Sequence, residues 1–219
     1  AILNELKSSI PDYEYNQQIL GRAEIMIMRS LGRISNDEAL DKLIKLLELT
    51  VPMECFYRFV NNRSHGPMKN ESVKKRIYFT QAEVLCLISI GGCYEIKGDY
   101  EKTDCYFKLL YEYFVNNKEY DGLYGAEVIF RMLAIQYSSM LGDCGKYTMS
   151  NEIADMSAKL QLQLYRPQKV WWHKYNNLWN DNLKKKDKEK YNNILMECAT
   201  LCHIYDDKDV AYIFEKKLI

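Results

Sequence analysis

Residues 84–115, VLCLISIGGCYEIKGDYEKTDCYFKLLYEYFV, read as two packed helices joined by a tight turn. The first half is apolar nearly all the way round: Val84, Leu85, Leu87, Ile88, Ile90, Cys93, Tyr94 and Ile96. A helix without a polar face is sandwiched between neighbours, because an open side would leave apolar surface in water. Gly98 tolerates the left-handed backbone that closes such a helix. Asp99 caps the next one, its short carboxylate accepting from free amide N–H groups. The second half separates its faces again, with Tyr100, Phe107, Leu110, Tyr111 and Phe114 inward and Glu101, Lys102, Lys108 and Glu112 outward.

These residues resemble a tetratricopeptide (TPR) repeat, whose period is about 34 residues. Leu87, Ile90, Gly91, Tyr94, Gly98, Tyr100 and Phe107 fall on its signature positions, and small Gly91 lets the two helices approach. Thr103 and Leu110 stand where the motif carries small residues, a departure that predicts a wider splay of the pair. The resemblance implies an all-α fold, a right-handed α-solenoid of TPR-like helix pairs.

The rest of the chain can be placed around this pair. Residues 2–9 read as the end of a helix broken at Pro11. A chain that opens inside an element is either cut from a longer one or has lost an initiator methionine before Ala1. Tyr15 to Leu31 is helical with Ile19, Leu20, Ala23, Met26 and Ile27 inward, and Gly32 stops it. Ser35-x-x-Glu38 is a capping box, in which side chain and backbone at a helix start satisfy each other reciprocally. It opens a helix striped by Leu40, Leu43, Ile44 and Leu47, which ends at Thr50-Val51-Pro52. Met53 to Phe79, with its NNRSHGPMKN segment, is irregular, with short turns of helix at 53–60 and 71–75. Thr80-x-x-Glu83 is a second capping box. The expected organisation is residues 1–79 as a helical pair plus irregular linker, and 80–219 as three TPR-like repeats with a C-terminal capping helix.

The second repeat starts near Leu123, with Phe130, Leu133, Ala134 and Tyr137 on the first helix and Gly145 at the turn. Tyr137 to Gly145 is eight residues where Tyr94 to Gly98 is four, which predicts one inserted helical turn. The third repeat follows Arg166-Pro167, with Tyr175, Leu178 and Trp179 on its first helix, Lys186-Asp187 at the turn and Tyr191, Leu195 and Cys198 on its second helix. Lys208 to Leu218 is the capping helix.

Bulk composition narrows the function. Lysine plus arginine equal aspartate plus glutamate at 30 each, so the 219 residues carry no net charge. Direct DNA binding ordinarily needs a basic excess, since phosphate contacts dominate that affinity. No run of about 18 apolar residues suggests a membrane helix. Seven cysteines without a CxxC pair, most on core faces, read as reduced thiols of a cytoplasmic protein.

No catalytic set is legible. A catalytic histidine needs an oriented partner, and His65, His173 and His203 have none in sequence. Cys198, Cys202 and His203 share a helix neighbourhood, yet their core-facing register favours packing over a metal. Trp171, Trp172 and Trp179 at helical spacing read as packing between repeats. No cofactor is expected, and the chain reads as a non-enzyme. In a TPR array the first helix of each pair lines the concave face. That register exposes Leu85, Ile88, Gly92 and Glu95, then Val128, Arg131, Ile135 and Ser138, then His173, Asn176 and Asn180. Asparagine amides can hold a peptide backbone and Arg131 a carboxylate. A solvated helix face with ordinary polar residues reads equally well. The candidate ligand-binding set is Glu95, Arg131, Ile135, Ser138, His173, Asn176 and Asn180.

One narrower resemblance covers about Asn16 to Leu218. The segment NQQILGRAEIMIMRSLGRISNDEALDKLIKLLELTVP, an irregular linker, and repeats closing on GDYEK, GKY and KDKEK are together similar to one bacterial regulator class. It comprises the xenobiotic-response-element-type helix-turn-helix regulators of the Rgg/PlcR kind from Gram-positive bacteria. The resemblance implies a sensor and dimerisation domain of a transcription regulator, a homodimer, with a short signalling peptide on its concave face. DNA would be reached only through a helix-turn-helix domain upstream of Ala1. The alternative expectation is a free-standing TPR scaffold for a partner protein.

Overall fold

The structure is a computed structural model that describes residues 11–51, 79–116, 126–163, 174–176 and 186–218. The expected helix end at 2–9, the irregular stretch at 53–78, the start of the second repeat at Leu123 and the Arg166-Pro167 break lie outside the described residues. So do Cys55, His65, the three tryptophans and Leu178. Among the described residues the chain is all-helical, without a strand. In chain order the helices are α1 (Glu14–Ser30), α2 (Asn36–Leu47), α3 (Gln81–Ile96), α4 (Tyr100–Asn116), α5 (Ala126–Asp143), α6 (Tyr147–Gln163), α7 (Lys188–Ile204) and α8 (Lys208–Glu215). Two compact units divide the chain, Ala1–Ile129 and Phe130–Ile219. No described helix is long and apolar enough to cross a membrane.

The first unit is built round α3, which packs against α1, α2 and α4. This is what an all-round apolar helix demands. Leu87, Ile88, Ile90 and Cys93 are buried, Leu85 is half-buried and the C-terminal Ile96 is exposed. The capping boxes at Ser35 and Thr80 are both complete: each hydroxyl accepts from the glutamate's amide N–H, and each glutamate accepts from the cap residue's N–H. On α4, Phe107, Leu110 and Phe114 are buried as expected, but Tyr100 is exposed and Thr103 and Tyr106 take its place inside.

Among the described residues, three helix hairpins follow one template. The turn residue adopts left-handed backbone at Gly98 (φ 74°), Gly145 (φ 75°) and Asp206 (φ 58°). Its N–H reaches the carbonyl three residues back, and the next N–H reaches five back. These bonds are Gly98 to Glu95 and Asp99 to Tyr94, Gly145 to Gly142 and Lys146 to Leu141, and Asp206 to His203 and Asp207 to Cys202, all between 2.8 and 3.2 Å. That double closure satisfies carbonyls the helix end would otherwise leave open. The following helix starts two residues after the turn in every case. Burial repeats in step. Leu87, Ile90 and Tyr94 correspond to Ala134, Tyr137 and Leu141, and to Leu195, Cys198 and Cys202. Beyond the turn, Thr103 and Tyr106 correspond to Ser150 and Ile153, and to Ala211 and Phe214.

This register corrects two expectations. Leu141, not Tyr137, matches Tyr94, so α5 carries no inserted turn before Gly145. And α7 is the first helix of a hairpin with α8, closed at Asp206, with its own core of Tyr191, Leu195, Cys198, Ala199, Cys202, Ala211 and Phe214. Asp187 does cap α7, its carboxylate accepting from the Lys190 N–H at 2.9 Å. Lys186 is helical and Asp187 is not, so a turn stands at 186–187 as expected, and residues 177–185 before it lie outside the described residues.

Candidate functional site

The candidate residues fall into different surroundings. Glu95 lies near the end of α3 in the first unit and is half-buried. Arg131 and Ile135 lie on α5 in the second unit, one helical turn apart and both half-buried. Such a pair can offer a guanidinium fork to a carboxylate and a branched apolar surface beside it. Leu85 and Gly92 keep partial exposure, but Ile88 is buried. His173 and Asn180 lie outside the described residues.

Ser138 and Asn176 are not exposed, contrary to the concave-face register. Ser138 is fully buried and Asn176 nearly so. The Asn176 amide donates to the Ser150 hydroxyl at 3.1 Å, and that hydroxyl donates to the Ser138 carbonyl at 2.5 Å. The Ser138 hydroxyl turns back to the Ile135 carbonyl at 3.2 Å. Polar atoms in this chain are used to join helices, since a buried polar group costs free energy unless it is bonded. The accessible part of the set among the described residues is therefore Glu95, Arg131 and Ile135.

A polar cluster in the first unit escaped sequence reading. Helix α1 turns Gln18, Arg22, Ile25 and Arg29 inward, at successive turns of one face. The expected inward residue Ile27 is instead exposed, and Ile19, Leu20, Ala23 and Met26 are only half-buried. The Gln18 amide donates to the Leu46 carbonyl at 3.1 Å and the Thr50 hydroxyl at 2.8 Å. Thr50 donates in turn to the buried Glu83 carboxylate at 2.6 Å. Arg22 Nε donates to the Leu85 carbonyl at 2.9 Å and Ser89 Oγ at 2.7 Å. Arg29 reaches Asn36 Oδ1 at 3.4 Å and Cys93 Sγ at 3.3 Å. Burial pulls the Arg22 guanidinium below its ordinary pKa, against the opposing pull of Cys86. Burial likewise pushes the Cys86 thiol up to about 12, so it stays protonated and inert. The cluster fastens α1 to α2 and α3. The only sequence signal is a polar residue at i, i+4 and i+11 on one helix face.

The described cysteines, Cys86, Cys93, Cys105, Cys144, Cys198 and Cys202, are free thiols. Burial pushes Cys198 up to about 12. His203 meets Glu215 at 2.7 Å between α7 and α8, both about half exposed. Among the described residues no group of three or more His, Cys, Asp and Glu side chains could hold a metal ion.

Comparison with known proteins returns nothing to set beside this geometry: no family model, curated protein or solved structure matches the chain.

Proposed function

We propose that the chain is the sensor and dimerisation part of a bacterial transcription regulator. In this reading it is a right-handed α-solenoid of TPR-like pairs, working in the cytoplasm as a homodimer and holding a short peptide against its first helices. DNA is reached through a helix-turn-helix domain upstream, and no reaction is assigned to the chain. The observation that supports the reading best is the hairpin template repeated at Gly98, Gly145 and Asp206. Stacked helix hairpins cannot bury their faces singly and form extended binding surfaces together. The resemblance to Rgg/PlcR-type regulators supplies the regulatory context.

The peptide contacts assigned here are Arg131 and Ile135 on α5. Ser138 and Asn176 leave the contact set: the Ser138 carbonyl joins α5 to α6 through Ser150, and Asn176 bonds that same hydroxyl. Ligand would act by favouring one of two arrangements of the dimer, which requires unequal affinity for the two.

The test is the native protein purified gently from its source cells. The proposal expects an intact mass above 25.9 kDa by a small domain and a co-purified short peptide. It also expects Arg131→Ala to weaken rebinding of that peptide about tenfold or more, as loss of a charged hydrogen bond does. A native chain of 25.9 kDa carrying a partner protein would overturn the regulator reading in favour of a free-standing scaffold.

A further inference from the structure

Residues 174–176 are helical, and successive side chains of a helix stand about 100° apart. Three in a row therefore reach three ways, and here each meets a different helix. Lys174 pairs with Glu197 on α7 at 2.5 Å, at an exposed position where an ion pair adds little. Tyr175 packs on the core of the α7/α8 hairpin, its ring centre 5.3 Å from that of Phe214. Lys217, just past the end of α8, donates to the Tyr175 hydroxyl at 2.5 Å and lies 4.6 Å from the centre of its ring. Asn176 turns the other way, and its buried amide donates to the Ser150 hydroxyl on α6 at 3.1 Å.

We propose that residues 174–176 are a clamp through which the α5/α6 and α7/α8 hairpins open together. One turn of helix carries both the buried bond to α6 and the ring that the end of α8 holds. Losing either grip lets that turn shift, and the other grip goes with it. Beyond Ser150 the line of bonds runs to the Ser138 carbonyl, and the Ser138 hydroxyl bonds the Ile135 carbonyl. Ile135 is a contact assigned to the peptide, so a ligand there is felt at the C-terminal hairpin; that consequence alone rests on the proposed function.

The experiment is native-state hydrogen exchange of the whole chain, read along α6 and α8 in a double-mutant cycle without added peptide. Asn176→Ala cuts the grip on α6. Lys217→Met cuts the grip from α8 and keeps most of the apolar stem. Each alone speeds exchange in both α6 and α8 by about threefold to tenfold, the effect of one lost hydrogen bond. The double variant exchanges no more than about twofold faster than the faster single one, because contacts that act as a unit are not additive. Ser150→Ala stands in for Asn176→Ala, and Tyr175→Phe for Lys217→Met, where a variant loses its helical circular dichroism. Exchange that is unchanged, that rises only in the hairpin whose grip was cut, or that multiplies in the double variant would overturn the clamp and leave the proposed function standing. A chain shown to be a free-standing scaffold would leave the clamp untouched.

Discussion

The hairpins α3/α4 and α5/α6 share a turn, a register and a crossing point, yet they fill that crossing differently. Seven residues before the turn stands Gly91 in one and Ser138 in the other; five after it stand Thr103 and Ser150. At Gly91 a ring takes the space: a Cβ built there would lie 2.4 Å from Phe107 Cε1. The Thr103 hydroxyl reaches the Gly91 carbonyl only at 3.4 Å and bonds the Asp99 carbonyl at 3.0 Å instead. In the second hairpin Ala154 replaces the ring, and the Ser150 hydroxyl closes on the Ser138 carbonyl at 2.5 Å with Asn176 behind it. One crossing is an aromatic contact and the other a polar relay. The template therefore fixes where helices meet, and local side chains decide what holds them.

Gly91→Ala breaks this comparison most sharply. Phe107 is fully buried and cannot swing into solvent. Overpacking should cost about 1–3 kcal/mol, offset by up to about 1 kcal/mol of better helix propensity. Urea unfolding followed by circular dichroism should show a net loss, relieved when Phe107→Leu is added. Ser138→Ala at the matching position should cost less than about 1 kcal/mol, since only the bond to Ile135 is lost.

The polar side of the comparison is tested by Ser150→Ala. It leaves the buried Asn176 amide without its acceptor, a cost of about 1–3 kcal/mol. Thr103→Val should cost about 1 kcal/mol or less, because the Asp99 carbonyl keeps the Thr103 N–H at 3.0 Å. Equal losses at the two positions would mean that the crossings are held alike.

The third hairpin sharpens the role of the turn. Asp206 holds left-handed backbone that glycine holds in the other two. Asp206→Gly should stabilise by no more than about 1 kcal/mol, the penalty for a side chain there being partly offset by glycine's unfolded-state entropy. A loss above that range would show that the aspartate side chain itself stabilises the turn.

The smallest effect is a pH dependence confined to the first capping box. Hydrogen bonding from the Ser35 N–H, and then from its hydroxyl, holds the Glu38 carboxyl below its ordinary pKa. A depressed carboxylate stabilises the fold above its unfolded pKa, and that contribution is lost as pH falls through the folded value. The acid limb of stability should flatten slightly in Glu38→Gln.

What was legible in the sequence was local. Gly32, Gly98 and Gly145 stop helices, and Ser35 and Thr80 start them, because each acts through neighbours within five residues. The register of α5 is illegible from an aromatic match: Tyr137 resembles a signature residue wherever it falls in the helix, while the left-handed turn at Gly145 allows one phase only. Asp206 hid the last turn by not being glycine. The inward stripe of α1 was illegible for another reason. Gln18 and Arg22 bond partners 28 and 63 residues away, and no local pattern announces them. The same blindness made Ser138 and Asn176 look accessible, although Asn176 bonds Ser150 across 26 residues.

The central claim is that α7 and α8 form a hairpin on the same template as the other two. Ala199 and Ala211 occupy its crossing positions, and both are buried in one cluster. Alanine-methyl-labelled protein allows a direct measurement by nuclear Overhauser spectroscopy. The template predicts a strong cross-peak between the Ala199 and Ala211 methyls. Its absence, with both methyls assigned and the chain folded, would contradict the shared template and with it the main support for a helical-repeat binding module.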